Sequence, residues 1–184
     1  MPTENQTPQH IVFIGAECTG KTTIANKIAR HFNEPCSSEF VREYAASLDR
    51  PIAECDLDPI ARGQMRLEEE ARQSANQFVF HDTNLLSSIL YAEHYFDAHL
   101  PWVDETFLKR NYARYFLCLP DVPWEDEPKQ RIGPEERAKL HPLFQAVLAR
   151  YDIHPIPLRG TVDQRTQTVL TALNELQQVQ TQFT

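Results

Sequence analysis

The chain has 184 residues, of which 26 are acidic and 18 are basic, so its formal net charge at pH 7 is −8. Hydrophobic residues make up 41% of the chain, which is ordinary for one globular domain with a sizeable core. The acidic balance argues against a nucleic-acid-binding surface, and no apolar run approaches the ~18 residues of a membrane span. The four cysteines lack C-x-x-C spacing, which predicts reduced thiols in a cytoplasmic protein.

The first residues predict a short tail, then a strand and a helix. Residues 1–9 are polar and are expected to be a disordered tail before a single domain over 10–184. His10–Ile14 is apolar and rich in β-branched residues, as expected of a buried parallel strand. Thr22–Phe32 repeats its large apolar residues at helical spacing. A strand and a helix therefore flank the segment between them.

That segment fits G-x-x-x-x-G-K-[ST], the pattern of a phosphate-binding loop. It reads Gly15-Ala16-Glu17-Cys18-Thr19-Gly20-Lys21-Thr22, followed by Thr23. Its backbone N–H groups and the start of the next helix would surround the phosphates of ATP. Lys21 would reach the β- and γ-phosphates, and the Thr22 hydroxyl would bind Mg²⁺. Cys18 is interpreted as a filler at a variable position, with a redox-sensitive thiol as the alternative.

Strands and helices alternate along the rest of the chain. The predicted elements are a loop or short strand at 35–38, a helix over 40–48, a helix capped by Asp58 and ending near 76, strand 78–82, a helix from 83 or 84 to 97, helix 101–110, strand 115–119, a helix from 134 or 135 to 151, edge strand 154–158 and a last helix from 161 or 163. The charges at 67–72 are typical of a solvated face. The order predicts an α/β fold with a parallel sheet flanked by helices on both faces.

Four features follow the carboxyl ends of successive strands. They are the phosphate loop, Glu39, Asp82 and the long loop at about 120–134. Ligands of parallel sheets bind at this edge, so one site could use all four.

Four residues of this edge are candidates for catalysis or substrate binding. Asp82 could hold Mg²⁺ directly or through water, and capping the next helix is its alternative role. Glu39 could accept or orient the proton of a substrate hydroxyl, unless it is a solvent-facing carboxylate. Arg42 could contact substrate, or pair with Glu39 or Glu43. Tyr44 is a candidate substrate contact, but a core position is the commoner role for it and for Tyr91 and Tyr95.

The long loop at 120–134 is rich in proline and charge and has no periodicity. Lys129, Arg131 and, just beyond, Arg137 could close over the phosphates as a lid, with Arg131 as the catalytic cation. A solvated surface loop is the alternative. Trp124 could stack on a base or a pyridine ring, or anchor the loop.

Several of these segments together resemble the ribosylnicotinamide kinase domain of the bifunctional bacterial regulators of NAD biosynthesis. They lie at 15–23, 38–44, 81–84, 91–93 and 119–127. The resemblance covers about residues 10–165 and is most informative at 38–44 and 119–127. It implies a P-loop, nucleoside-kinase-like fold, ATP and Mg²⁺, and phosphorylation of nicotinamide riboside to its mononucleotide in NAD salvage.

This chain departs from that family in two ways. The bifunctional proteins carry an upstream nucleotidyltransferase domain, whereas this chain begins almost at its phosphate loop. We therefore expect a stand-alone kinase and neither an adenylyltransferase nor a repressor. In the family's lids a glycine often follows the acidic pair, whereas Glu127 follows Asp126 here.

Other functions stay open. A kinase of another nucleoside or nucleotide is one, although deoxynucleoside kinases usually carry an arginine two places after the acidic residue, and Asn84 is found here. An ATPase or switch acting on a protein partner, or a nucleotide-binding module without catalysis, are the others. The cationic loop favours the kinase, and the sequence indicates no oligomeric state.

Overall fold

A computed structural model of the chain describes residues 7–124 and 133–181. The strands are β1 (Gln9–Ile14), β2 (Cys36–Ser37), β3 (Phe78–Asp82), β4 (Tyr112–Cys118) and β5 (Ile156–Leu158). The helices are α1 (Lys21–Phe32), α2 (Phe40–Ala46), α3 (Leu57–Ser74), α4 (Leu85–Phe96), α5 (Pro101–Lys109), α6 (Pro134–Arg150) and α7 (Val162–Thr181). A single 3₁₀ turn at Glu54–Asp56 precedes α3. Within these described ranges, no helix combines the length and the apolar character needed to cross a membrane.

The strands form one parallel sheet in the order β2-β3-β1-β4-β5. Strand β1 lies at its centre, where Val12 is opposite His81 of β3 on one side and Tyr115 of β4 on the other. The carboxyl ends of the strands therefore meet at one edge, next to the loop after β1. The predicted parallel α/β fold is confirmed.

Helices cover both faces of the sheet, as predicted. Val12 and Ile14 of β1 pack into one core with α3, α4, α5 and α6, whereas Ile11 and Phe13 pack into a second core with α1 and α7. All four side chains have no exposed surface. Each such burial is worth roughly 1.5–3 kcal/mol, so the two cores fix β1 and the loop that follows it.

Some boundaries differ from the predicted ones. Strand β1 begins at Gln9, whose N–H donates to the Gln77 carbonyl at 2.9 Å, so the predicted tail is shorter by one residue. Strand β4 begins at Tyr112, because this side chain packs its ring on Phe107 and His10 at the start of the sheet. Asp58 lies inside the first turn of α3 and pairs with Arg62, so it does not cap that helix.

The solvated face predicted at 67–72 is wrong for Glu68. Its side chain has no exposed surface and accepts hydrogen bonds from Arg110 Nη1 and the Tyr112 hydroxyl, each at 2.7 Å. Burial raises the pKa of Glu68 to about 7, against the opposing effect of Arg110. Position 68 falls on the buried stripe of α3, and the two donors compensate for the polar group there.

Candidate active site

The phosphate loop occupies residues 15–20, between β1 and α1. Gly15 has φ +141°, and a Cβ there would lie 2.7 Å from the Cys118 carbonyl oxygen, so the close approach to β4 requires glycine. Gly20 precedes α1 in the left-handed region with φ +81°, and Cys18 has φ +51°. The Thr19 hydroxyl donates to the Ala16 carbonyl at 2.8 Å. Local sequence thus produces the strained, tight loop that binds anions through its N–H groups.

The side chains at the start of α1 are already directed into this site. Lys21 is buried, and its Nζ donates to the Ala16 carbonyl at 2.9 Å. The Thr22 hydroxyl donates to Asp82 Oδ2 at 2.6 Å. Asp82 Oδ1 is buried and has no hydrogen-bond partner within the described part of the chain. A hydroxyl and a carboxylate with an unused oxygen fit Mg²⁺, which takes its other ligands from phosphates and water.

Among the described residues, a self-contained metal site is not found at this edge or elsewhere. Over residues 7–124 and 133–181, no group of three or more His, Cys, Asp or Glu side chains could hold a metal ion. The Thr22–Asp82 pair would therefore bind Mg²⁺ only together with nucleotide phosphates, as is usual for this ion.

Asp82 is not the cap of the following helix. Asn84 fills that role, since its side-chain oxygen accepts the Leu86 N–H at 3.2 Å. The pKa of Asp82 is raised, first by burial and then by the negative charge of Glu39, whereas Lys21 and the Thr22 hydroxyl act in the opposite direction. Asp82 and Glu39, which follow different strands, therefore act on each other electrostatically.

Glu39 precedes α2 and is held from two sides. Arg42 Nε donates to Glu39 Oε2 at 2.6 Å, and the Glu39 side chain is 10% exposed, against 36% for Arg42. The buried Gln64 side chain of α3 accepts the Phe40 N–H at 2.9 Å and donates to the Ser38 carbonyl at 3.3 Å. Gln64 thus fixes the backbone on both sides of Glu39.

Tyr91 and Tyr95 of α4 form a stacked pair, with ring centroids 5.8 Å apart and planes inclined by 17°. Burial raises the pKa of both hydroxyls, and nearby carboxylates raise them further. These carboxylates are Glu39 and Glu17 for Tyr91, and Glu17 and Glu136 for Tyr95. An aromatic pair with acidic neighbours therefore lies next to Glu39. The core position predicted for Tyr91 is confirmed, because its ring packs against Phe144, whereas Tyr95 is 37% exposed.

Tyr44 forms a side-chain hydrogen bond with the turn before α3. Its hydroxyl donates to Asp56 Oδ1 at 3.0 Å. Asp56 in turn accepts from Arg50 at 2.6 and 2.9 Å and from the Ala53 N–H at 2.8 Å. The observed role of Tyr44 is to tie α2 to the turn before α3.

Trp124 lies beside the phosphate loop. The Arg137 guanidinium is 5.4 Å from the centroid of the Trp124 ring. Arg137 Nη1 also donates to the Val122 carbonyl at 2.9 Å and the Cys18 carbonyl at 3.2 Å. Arg137 therefore binds the carbonyl side of the phosphate loop. The predicted lid residues Lys129 and Arg131 fall in 125–132, outside the described residues.

Arg165 was missed by sequence reasoning. It lies in the first turn of α7, is 2% exposed, and donates through Nη1 to the Thr19 carbonyl at 2.6 Å. Nη2 pairs with Asp121, near the start of the loop after β4. A signal did exist, because Arg165 is four residues before Val169 and eight before Leu173 on the buried stripe of α7. A charged residue on an apolar stripe is expected to have a specific partner.

Known proteins resemble the chain in sequence and in fold. The trifunctional NAD biosynthesis/regulator protein NadR of Escherichia coli K12 is 25% identical over 148 residues, which are 78% of this chain and 36% of that protein. The crystal structure of a NadR protein with NAD and AMP-PNP superposes with a TM-score of 0.79 at 22% identity, over 92% of this chain and 49% of that one. The crystal structure of a NadR protein with NR superposes with a TM-score of 0.76 at 20% identity, again over 92% of this chain and 49% of that one.

The resemblance to the NAD-biosynthesis regulators, predicted from the motifs, is confirmed by these relatives. The chain spans about a third of the curated relative's length and about half of each solved chain. Residues 10–165 match the model of a family described as AAA domain. Because that match covers most of the chain, the protein belongs to this AAA-domain family of P-loop proteins.

Proposed function

We propose that this protein is an ATP- and Mg²⁺-dependent kinase that phosphorylates the 5′-hydroxyl of nicotinamide riboside. The observation that carries the proposal is the meeting of two half-sites at one sheet edge. A phosphate loop with Lys21 and the Thr22–Asp82 pair forms one, and Glu39 forms the other, close enough for its charge to raise the pKa of Asp82.

The donor half-site would bind and orient the triphosphate. The loop N–H groups surround the phosphates, and Lys21 exchanges its hydrogen bond with the Ala16 carbonyl for one with a phosphate oxygen. Thr22 and Asp82 would hold Mg²⁺, which would supply positive charge beside the phosphates. Arg131 is proposed as a further cation at the transferred group.

Glu39 is proposed as the general base that accepts the proton of the acceptor hydroxyl. Arg42 Nε donates to Oε2 of the Glu39 carboxylate, and the substrate hydroxyl is proposed to approach Oε1. The hydroxyl oxygen attacks the γ-phosphorus, its proton passes to Glu39, and ADP leaves. Asp82 is the poorer candidate for the general base, because its carboxylate accepts a hydrogen bond from Thr22 in the donor half-site.

The surroundings of Glu39 suit a positively charged aromatic acceptor. Nicotinamide riboside carries a permanent positive charge on its pyridine ring. The stacked pair Tyr91 and Tyr95, with Glu17 and Glu136 nearby, offers aromatic faces and negative charge together. Trp124 is proposed as a further ring contact. The NadR structures with NR and with AMP-PNP support this choice of acceptor and donor.

A panel of acceptors tests the proposal. Purified protein with ATP and Mg²⁺ is given nicotinamide riboside, the common ribonucleosides, the deoxynucleosides or no acceptor, and products are identified by mass. We expect a mononucleotide from nicotinamide riboside. The Lys21→Ala variant, purified in parallel, measures any contaminating kinase. ADP formation that no acceptor raises above the control would overturn the kinase and favour an ATPase or a switch.

A further inference from the structure

Arg165 is the largest fully buried side chain of the described residues. A buried guanidinium costs several kcal/mol of desolvation unless hydrogen bonds and an opposite charge compensate. Asp121 supplies the charge, and it is itself 38% exposed at the site's margin. The remaining compensation comes from three backbone carbonyl groups, which accept hydrogen bonds from the guanidinium.

The carbonyls belong to three loops at the carboxyl edge of the sheet. Arg165 Nη1 donates to Thr19 after β1 at 2.6 Å, Nη2 to Leu119 after β4 at 3.2 Å, and Nε to Gly160 after β5 at 3.1 Å. Asp121 Oδ2 also accepts the Gly160 N–H at 2.6 Å. One ion pair therefore joins the phosphate loop to the loops that follow β4 and β5.

The contact with Thr19 controls the direction of a phosphate-binding donor. The carbonyl of residue 19 and the N–H of Gly20 belong to one planar trans peptide and point in opposite directions. Because Arg165 binds that carbonyl, the Gly20 N–H points away from Arg165, which is the direction required of a donor to the phosphates. A charged donor on the carbonyl also polarises the peptide and strengthens its N–H as a donor.

Arg137 makes the same contact one peptide earlier. Its Nη1 donates to the Cys18 carbonyl at 3.2 Å, which turns the Thr19 N–H toward the phosphate side. Two arginines from different helices thus bind consecutive carbonyls of the phosphate loop. Arg165 is the buried one of the two, and its acceptors are all in the described structure.

We propose that Arg165, oriented by Asp121, is a positioning residue that sets the nucleotide affinity of the phosphate loop without touching the nucleotide. It acts through the peptide between Thr19 and Gly20. The proposal rests on the ATP-binding part of the proposed function and is independent of the phosphate acceptor.

The test compares Arg165→Lys with Arg30→Lys, an exposed arginine on α1. The dissociation constants of Mg-ATP and of inorganic tripolyphosphate are measured by calorimetry without acceptor, well below each variant's Tm. Lysine keeps the charge but cannot reach acceptors in all these directions. We expect Arg165→Lys to weaken both ligands by the same factor, roughly tenfold, which is the value of one charge-assisted hydrogen bond. Arg30→Lys should change neither.

Asp121→Asn is the second variant, because its half-exposed position puts folding at less risk. The amide cannot accept from both Arg165 and the Gly160 N–H with the same strength, so we expect a loss of about threefold for both ligands. If Arg165→Lys does not fold, the dissociation constants of Asp121→Asn alone test the proposal. A lowered Tm with unchanged dissociation constants would overturn the positioning role and leave a structural one. Wild-type protein that binds neither ligand would instead remove the ATP site of the proposed function.

Discussion

The two halves of the candidate active site are built differently. Apart from Asp82, the donor half is one contiguous segment, 15–22, in which the Thr19 and Lys21 side chains are buried and the Thr19 carbonyl is bound by Arg165. The acceptor half depends on Glu39 at the start of α2, a seven-residue helix with no buried residue. Its support comes from α3, through Gln64. The donor half is fixed by its own tight backbone and by the buried Arg165, whereas the acceptor half depends on a short helix that α3 supports, so changes in α3 can alter it.

Lys21→Ala should have the largest effect, because it removes the buried cation of the donor half. We expect kcat/KM to fall about 10³-fold with every acceptor, the size found when a charge-stabilising group of an active site is removed. The measurement is steady-state phosphorylation with mass detection of the product. Lys27→Ala is the matched control, since Lys27 is on the same helix and pairs at the surface with Asp163. Equal losses in the two variants would contradict the assigned site.

Glu39→Gln should impair the acceptor half of the site and leave the donor half unchanged. We expect acceptor-dependent turnover to fall about 10²-fold, as for the loss of a general base, while the dissociation constant of Mg-ATP stays unchanged. Calorimetry without acceptor measures the second quantity. Glu43→Gln, an exposed carboxylate on the same helix, should behave as wild type. Turnover at the wild-type rate in Glu39→Gln would show that Glu39 is not the base.

The donor half could be predicted from the sequence more fully than the acceptor half, because its residues lie close together in the chain. Gly15, Gly20, Lys21 and Thr22 follow one another in the chain, so a local pattern was sufficient for the donor half. Asp82 could be placed beside them because it ends an apolar strand of a parallel sheet. Arg42 could be placed beside Glu39, since it is three residues further along the chain. Gln64 and Tyr91 could not be placed there, since no local rule brings them to it.

Arg165 and Glu68 were missed for a related reason. Each is a charged residue on a helix stripe that faces a core, and a sequence pattern does not name its partner. Arg165 pairs with Asp121 over 44 residues, and Glu68 pairs with Arg110 over 42. Only the packing of α7 and α3 on the sheet brings these groups together.

Gly63→Ala tests whether α3 supports only the acceptor half. A Cβ at Gly63 would lie 2.0 Å from Phe40 Cε1, so the ring beside Glu39 must move. We expect the KM for the acceptor to rise roughly tenfold, by about 1.4 kcal/mol, while the KM for ATP stays constant.

The same change in a Phe40→Ala background is the control, because no ring is left to displace. A double-mutant cycle should then show that nearly all of the effect depends on Phe40. An equal rise in both KM values would mean that the two halves are mechanically coupled.

The smallest effect concerns stability and not activity, and it comes from the buried Glu68 of α3. Its pKa is raised to about 7 in the folded protein, from an ordinary value of 4.5, mainly by burial. Between these pH values the folded state keeps a proton that the unfolded state has released. This group therefore lowers the free energy of unfolding as pH rises through that interval. His10, whose pKa burial lowers to about 4, acts in the opposite direction up to pH 6.5 and masks part of the change.

Glu68→Gln removes the titration but keeps an oxygen for Arg110 and Tyr112. The free energy of unfolding of the variant, minus that of wild type, should therefore increase by about 2 kcal/mol from pH 5 to pH 7 and then level off. Urea unfolding across this range measures the difference, and His10 cancels in it. A constant difference would mean that Glu68 stays ionised in the fold. The affinity for Mg-ATP should stay at the wild-type value throughout, because Glu68 lies on the helix that supports the acceptor half.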